Sequence, residues 1–158
     1  MERMQLDLPD PDATRALGRA LGAALEPGLV VALLGDLGAG KTALSKAAVA
    51  AQGEVEEADV ASPTFVLAVE YPGRVPVLHV DAYRLGGPED FEALGYGPLE
   101  DCPWATLIEW AERVDAALPA DRLTIALSHA DDGRRAQLTA SGPASARALE
   151  ALAQHRAP

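Results

Sequence analysis

The apolar positions of this chain follow helical spacing in some stretches and form short unbroken runs in others. Helical spacing begins after Asp10-Pro11, which resembles an N-cap with proline at the first helical position, and ends before Pro27. The unbroken run 29–34 instead predicts a buried strand, and residues 42–51 predict a second helix. The first third of the chain therefore predicts the order helix, strand, helix.

Two pairs of apolar runs, each separated by turn residues, predict antiparallel hairpins. Residues 65–71 and 75–80 flank a Pro-Gly-Arg turn, and residues 123–127 and 136–140 flank an Asp-Asp-Gly turn. Between these hairpins, the β-prone run 104–108 predicts a central strand. The remaining predicted elements are an acidic surface loop over 53–59 and helices over 89–94, 111–118 and 144–154.

The sequence between the first strand and the second helix fits the phosphate-binding pattern G-x-x-x-x-G-K-[ST] at every fixed position. This P-loop comprises Gly35, Asp36, Leu37, Gly38, Ala39, Gly40, Lys41 and Thr42. Its glycines allow backbone N–H groups to converge on phosphate oxygens, and the helix N-terminus adds partial positive charge. Lys41 is expected to reach the β- and γ-phosphates of ATP, and the Thr42 hydroxyl is expected to bind Mg²⁺.

Taken together, these patterns predict one α/β domain over residues 1–158. The strands are joined both by helices and by hairpins, which indicates a mixed sheet with helices on both faces. A strand, a glycine-rich loop and a helix in succession make this fold similar to that of P-loop NTPases.

Magnesium bound to a P-loop threonine needs a carboxylate nearby, and two strands of the chain end in one. Asp81 ends the apolar run 77–81, and Glu109 ends the run 105–109. Because the carboxyl ends of strands beside a P-loop meet in one crevice, both side chains are candidate metal ligands and, with Lys41, candidate catalytic residues. The alternative for each is a strand-terminal carboxylate that faces water.

Three other residues near these carboxylates are open to interpretation. His79 shares a strand face with Asp81, and it is either a proton carrier or a structural histidine. Arg84 would either stabilise phosphoryl charge or pair with a carboxylate. Trp110 would point away from Glu109 if the strand continued, which favours a contact with the core or a partner over stacking on a base.

The net charge of −11 at pH 7 makes this chain a poor candidate to hold RNA or DNA alone. No run of apolar residues is long enough to span a membrane, and no apolar segment of a secretory signal follows the N-terminus. We therefore expect a cytoplasmic protein with no membrane association.

Four motifs in this order and spacing, GDLGAGKT, SPTF, HVDAYRL and IEW, closely resemble the TsaE (YjeE) family. The resemblance runs from the first helix to at least Trp110. It implies a P-loop ATPase that acts with TsaD-like and TsaB-like proteins to make N6-threonylcarbamoyladenosine at position 37 of ANN-decoding tRNAs. It also implies that tRNA is contacted only indirectly, through the complex, and that ATP turnover by the chain alone is slow.

The resemblance extends to individual residues. It assigns Lys41 and Thr42 their phosphate and Mg²⁺ roles, Glu109 the role of Mg²⁺ ligand, and Asp81 a catalytic or metal-associated role. Thr14 matches a threonine near the nucleotide base. The C-terminal third carries no motif that we can match, so base contacts from that part stay unassigned.

Other P-loop functions leave signatures that can be sought in the sequence. A GTPase would carry an N/TKxD-type motif to read guanine, and the chain has none. A small-molecule kinase would need an arginine-bearing lid, whereas the lid-like stretch 86–103 has no Arg or Lys. A stand-alone nucleotide sensor would have little need for both Asp81 and Glu109. The kinase and the sensor remain the alternatives to the ATPase.

Overall fold

The structure is a computed structural model that describes residues 2–36, 38–61 and 68–156. Leu37 of the P-loop and the whole segment 62–67, which includes the SPTF motif, therefore lie outside the described residues, as does the start of the first predicted hairpin. The strands are β1 Glu2–Leu8, β2 Val30–Leu34, β3 Ala68–Tyr71, β4 Val77–Asp81, β5 Ala105–Glu109, β6 Leu123–Ala130 and β7 Gly133–Ala140. The α-helices are α1 Pro11–Ala24, α2 Lys41–Ala50, α3 Pro88–Glu92 and α4 Pro143–Arg156, and 3₁₀ helices span Glu57–Asp59, Leu99–Asp101 and Ala111–Ala117.

The start of α1 confirms the capping signal in the sequence. The Asp10 side chain accepts a hydrogen bond from the backbone N–H of Ala13 at 2.8 Å, and Pro11 occupies the first helical position. This cap fixes the point at which the chain turns from β1 into α1, next to the P-loop.

The strands form one mixed seven-stranded sheet in the order β1-β7-β6-β2-β5-β4-β3. Its centre is parallel, because β2 pairs in parallel with β5 and β6, and β4 pairs in parallel with β5. Both predicted hairpins, β3–β4 and β6–β7, are present and antiparallel. The carboxyl ends of β2, β4 and β5 consequently meet at one edge, where the P-loop leaves β2.

Alternate residues of the central strands enter two separate apolar clusters, one on each face of the sheet. In β2, Val31 and Leu33 belong to the cluster that packs under α1, α2 and α4. Val30 and Ala32 belong to the cluster that includes Phe91 of α3 and residues of the 3₁₀ helix Ala111–Ala117. This arrangement confirms the prediction of a mixed sheet with helices on both faces. Within the described residues, no helix is long and apolar enough to cross a membrane.

Two local features differ from the sequence predictions. Strand β1 was not predicted, although Met4, Leu6 and Leu8 alternate with polar residues, and it pairs with β7 along its whole length. The predicted helix over 111–118 is a 3₁₀ helix interrupted at Val114, which has non-helical dihedral angles. Its side chain is fully buried, so packing against the sheet outweighs helical regularity at this position.

Candidate nucleotide and metal site

The P-loop follows a path that requires glycine at two positions. Gly35 has φ = +141°, and a Cβ atom there would lie 2.5 Å from the carbonyl oxygen of Leu127. Gly40, the residue before α2, has φ = +108°, and a Cβ atom there would lie 3.3 Å from the Thr14 methyl group. Both positions therefore favour glycine by conformation and by available space.

The N-terminus of α2 faces the P-loop with no side-chain cap among the described residues. The first N–H groups of a helix have no partner within the helix. Together with the helix dipole, they make this end of α2 suited to hold an anion such as phosphate.

Lys41 is buried against the P-loop, with only 5% of the residue exposed. Its Nζ donates hydrogen bonds to the carbonyl oxygens of Gly35 and Asp36, and it lies 4.0 Å from the ring centre of Trp110. Burial lowers the pKa of Lys41, and the negative charge of Glu109 acts in the opposite direction. These contacts keep the ammonium group beside the phosphate-binding backbone.

The Thr42 hydroxyl donates a hydrogen bond to Glu109 Oε1 at 2.8 Å. Thr42 is the second residue of α2, Glu109 ends β5, and Glu109 is only 2% exposed. The structure thus brings together two of the three residues predicted to bind Mg²⁺.

Asp81 lies beside this pair at the end of β4. It is the register partner of Glu109 in the parallel β4–β5 pair, and its Oδ1 accepts a hydrogen bond from the N–H of Tyr83 at 2.8 Å. Burial raises the pKa of Asp81; the bond from Tyr83 opposes this rise, and the charge of Glu109 adds to it. A cation bound between Asp81 and Glu109 would offset the repulsion between these two carboxylates.

The residues at this edge of the sheet fit Mg²⁺. Their donors are the hydroxyl oxygen of Thr42 and carboxylate oxygens of Glu109 and Asp81, which are hard ligands of the type that Mg²⁺ prefers. Among the described residues, no cluster of three or more His, Cys, Asp or Glu side chains could hold a metal without other ligands. Such a site suits Mg²⁺, which commonly keeps several waters and binds substrate phosphates together with one or two carboxylates.

We expect Asp81→Asn to stabilise the metal-free protein by up to about 1 kcal/mol, a range that allows for solvent screening of this half-buried group. The pKa of Asp81 is raised in the folded state, so its ionised form opposes folding at neutral pH, and this penalty disappears as pH falls through that pKa. Asparagine removes the charge and keeps an acceptor for Tyr83 N–H. Thermal unfolding in EDTA measures the effect.

The control for this variant is Asp81→Ala, which removes both the charge and the acceptor. We expect it to be less stable than Asp81→Asn because the Tyr83 N–H loses its partner. With Mg²⁺ and nucleotide present, the wild type should instead be more stable to thermal unfolding than Asp81→Asn. A lower unfolding free energy for Asp81→Asn in EDTA would contradict this account of Asp81.

A pocket of about 390 Å³ opens beside the P-loop, between the start of α1 and the β6–β7 turn. Thr14, Gly38 and Gly40 form part of its wall, and Asp132 and Arg134 form another part. Arg134 also donates a hydrogen bond to the carbonyl oxygen of Gly38 at 3.2 Å. The size and partly apolar lining of this pocket suit a planar base whose attached phosphate groups lie on the P-loop.

The described residues place all the predicted site positions except Leu37. Gly35 and Asp36 contact Lys41, while Gly38, Ala39, Gly40 and Thr14 line the pocket. Thr42, Glu109 and Asp81 lie at the neighbouring edge of the sheet.

Two features of the site were missed by the sequence analysis. Arg134 carries no motif in the sequence, and only the fold brings it to the P-loop. Trp110 does not continue β5, because its left-handed backbone, with φ = +57°, turns its ring onto Lys41. The Trp110 ring also packs at a tilt against the ring of Tyr83, and the guanidinium group of Arg113 lies over the Tyr83 ring.

Comparison with known proteins finds the same family throughout. The family model of threonylcarbamoyl adenosine biosynthesis protein TsaE matches residues 8–137. The chain is 42% identical over 125 residues to tRNA threonylcarbamoyladenosine biosynthesis protein TsaE of Treponema pallidum. This alignment covers 77% of this chain and 89% of that protein. It is 35% identical over 157 residues to the protein of the same name from Bacillus subtilis, with coverage of 98% and 97%.

A solved structure agrees with the sequence comparisons. The crystal structure of Bacillus subtilis YdiB superposes with a TM-score of 0.79 and 29% sequence identity, over 99% of this chain and 97% of that one. The region matched by the family model includes the P-loop, both strand-terminal carboxylates and Arg134. The chain therefore belongs to the TsaE family of threonylcarbamoyl adenosine biosynthesis proteins.

Proposed function

We propose that this chain binds and hydrolyses Mg-ATP as a component of tRNA N6-threonylcarbamoyladenosine biosynthesis. The observation that carries the proposal is the 2.8 Å contact between the hydroxyl of Thr42 and the buried carboxylate of Glu109. It joins a P-loop threonine to a strand-terminal acid, which is the pairing that holds Mg²⁺ in P-loop NTPases. Membership of the TsaE family supplies the pathway.

The proposed roles follow from the positions of the residues. The base occupies the pocket lined by Thr14 and Arg134, and the phosphates lie on the P-loop. Lys41 supplies positive charge to the β- and γ-phosphates. Thr42 and Glu109 would hold Mg²⁺, which when bound would neutralise charge on the phosphates. Asp81 would orient the metal's water ligands or the attacking water.

We further propose that TsaD-like and TsaB-like proteins are the partners and that tRNA is reached only through them. The net charge of −11 disfavours direct capture of tRNA by this chain. Tyr83 is 51% exposed and its ring packs at a tilt against Trp110 beside Lys41, so the rim of the site offers aromatic surface to a protein partner.

The structure also supports the ATPase over a small-molecule kinase. The segment 86–103, which is lid-like in sequence, is anchored by the buried side chains of Phe91 and Leu99 in the second apolar cluster. A segment fixed in this way is poorly suited to open and close over an acceptor substrate. The other alternative, a stand-alone nucleotide sensor, would bind nucleotide without hydrolysing it.

We expect the chain to bind Mg-ATP more tightly than Mg-GTP, because no guanine-reading motif is present. Lys41→Ala should weaken ATP binding by about 10- to 100-fold, the value of losing charge-assisted hydrogen bonds to phosphate. Adenosine binding should change little, since the lysine is aimed at phosphate. Isothermal titration calorimetry with ATP, GTP and adenosine measures all three.

The matched control is Lys46→Ala, which removes the other lysine of the chain from the same helix. It changes the net charge by the same amount but leaves the contacts with Gly35 and Asp36 intact. Equal loss of ATP affinity in both variants would indicate a general charge effect. Equal or tighter binding of GTP would reject the preference for adenine.

A further inference from the structure

A buried histidine contacts the carboxylate that we assign to the metal site. His79, in the middle of β4, is 0% exposed, and its Nε2 lies 2.6 Å from Glu109 Oε2. Its other ring nitrogen, Nδ1, is buried and has no hydrogen-bond partner within the described part of the chain. Within the described residues, Glu109 is therefore the only hydrogen-bond partner of the His79 ring.

The hydrogen bonds at Glu109 determine which atom of His79 carries the proton. An ionised carboxylate only accepts hydrogen bonds, so Nε2 must be the donor. A tautomer with its proton on Nδ1 would instead leave a buried donor unsatisfied among the described residues, at a cost in free energy. The tautomer with its proton on Nε2 is the one that satisfies this arrangement.

The two carboxylate oxygens of Glu109 accept hydrogen bonds from different residues. Oε2 accepts from His79, and Oε1 accepts from the hydroxyl of Thr42. Since one oxygen is held by a ring on a neighbouring strand, the carboxylate cannot rotate without breaking that bond. The oxygen that faces Thr42 is kept in place at the P-loop.

The surroundings of His79 favour this one orientation of the ring. Its register partners on the flanking strands are Val69 and Leu107, which offer no polar side-chain atom. Glu109 lies two residues beyond Leu107 on β5, on the same face of the sheet. A histidine at this position can therefore satisfy its Nε2–H by contact with Glu109.

We propose that His79 is a positioning residue that fixes the carboxylate of Glu109 so that Oε1 is directed to Thr42 and the metal. This inference rests on the proposed function, because it takes Glu109 as a ligand of Mg²⁺. Hydrogen-bond partners of metal ligands commonly change metal affinity by about 10- to 100-fold when they are removed. His79 touches neither nucleotide nor metal in this scheme and acts through Glu109 alone.

Two variants separate hydrogen bonding from packing. His79→Gln places an amide N–H near the position of Nε2, and His79→Leu fills similar space without a donor. The probe is Mn²⁺, measured by electron paramagnetic resonance on protein loaded with a non-hydrolysable ATP analogue. Nucleotide affinity in EDTA is measured in parallel, because a positioning role through the metal ligand should not change it.

We expect His79→Leu to bind Mn²⁺ about 10- to 100-fold more weakly than wild type. His79→Gln should recover most of that loss, and both variants should bind nucleotide in EDTA as wild type does. Wild-type affinity for Mn²⁺ in His79→Leu would overturn the inference, as would a His79→Gln variant no better than His79→Leu. If wild type binds nucleotide but no Mn²⁺, the proposed metal site itself fails and the inference fails with it.

A spectroscopic measurement keeps the inference testable if His79→Leu does not fold. Two-bond ¹H–¹⁵N spectra of the wild type should show His79 protonated at Nε2 and unprotonated at Nδ1. Glu109→Gln should move the Nε2–H signal, because a neutral amide replaces the charged acceptor. A His79 ring protonated only at Nδ1, or a signal unaffected by Glu109→Gln, would overturn the proposed contact.

Discussion

Glu109→Gln is expected to reduce Mg-dependent ATP hydrolysis by about 100-fold or more. The change removes a charged oxygen that accepts the Thr42 hydroxyl bond and that we assign to Mg²⁺, and loss of such an electrostatic group costs about 3 kcal/mol or more at the transition state. Glutamine has nearly the same shape, so the buried site should stay packed. Steady-state phosphate release, with circular dichroism on the same sample, measures the effect.

The matched control is Glu112→Gln, three residues along the chain. Glu112 also interacts electrostatically with Lys41, but its side chain is not bonded to Thr42. We expect this variant to retain ATP hydrolysis within a few-fold of wild type. Near wild-type turnover in Glu109→Gln, with an unchanged fold, would place the metal site elsewhere.

Activation by partner proteins is expected to be the largest effect on turnover. We expect the chain alone to hydrolyse ATP slowly and a TsaB–TsaD-like complex to accelerate it by about 10³-fold or more, the range over which an ordered arginine acts on phosphoryl transfer. Arg84, just beyond Asp81, is the arginine that the sequence suggests for this role. Phosphate release by the chain, by the partners and by the mixture measures the acceleration.

Two variants test the part played by the arginine. Arg84→Ala should reduce the stimulated rate far more than the basal rate. Arg147→Ala removes an exposed arginine on α4 that pairs with Glu26, and it should leave both rates unchanged. The expectation fails if the chain alone turns over as fast as the mixture. It also fails if the mixture with Lys41→Ala modifies tRNA as well as wild type over many turnovers.

Local sequence signals were sufficient to predict the centre of the fold. The run that forms β2, the P-loop and α2 each carry a strong pattern, and these patterns agree with one another. Both hairpins were predictable because turn residues separate their apolar runs. In each of these cases the information lies within a short stretch of chain.

Features that depend on distant parts of the chain were not predictable in the same way. Strand β1 has alternating apolar residues, but its stability comes from pairing with β7 at the other end of the sequence. The interruption at Val114 reflects burial against the sheet, which outweighs the helical preference of its neighbours. Local preference alone cannot reveal either of these tertiary effects.

The candidate site shows the same division. The convergence of Glu109 and Asp81 was predictable because strand-terminal carboxylates near a P-loop are expected to meet, and their Cα atoms are paired in register. The contact of His79 with Glu109 required knowing that β4 and β5 are neighbours. The position of Arg134 required the hairpin β6–β7 to reach the P-loop.

The walls of the pocket beside the P-loop come from the start of the chain, from the P-loop and from the β6–β7 turn. This enclosure is complete only while the edge strand β1 stays paired with β7. A nucleotide would therefore bind the chain with β1 paired and not the chain with β1 detached. At a free nucleotide concentration of 100 times its Kd, binding would raise the free energy of unfolding by about 2.7 kcal/mol. Because proteases in the cell act on unfolded molecules, the lifetime of this protein would then rise and fall with the supply of nucleotide.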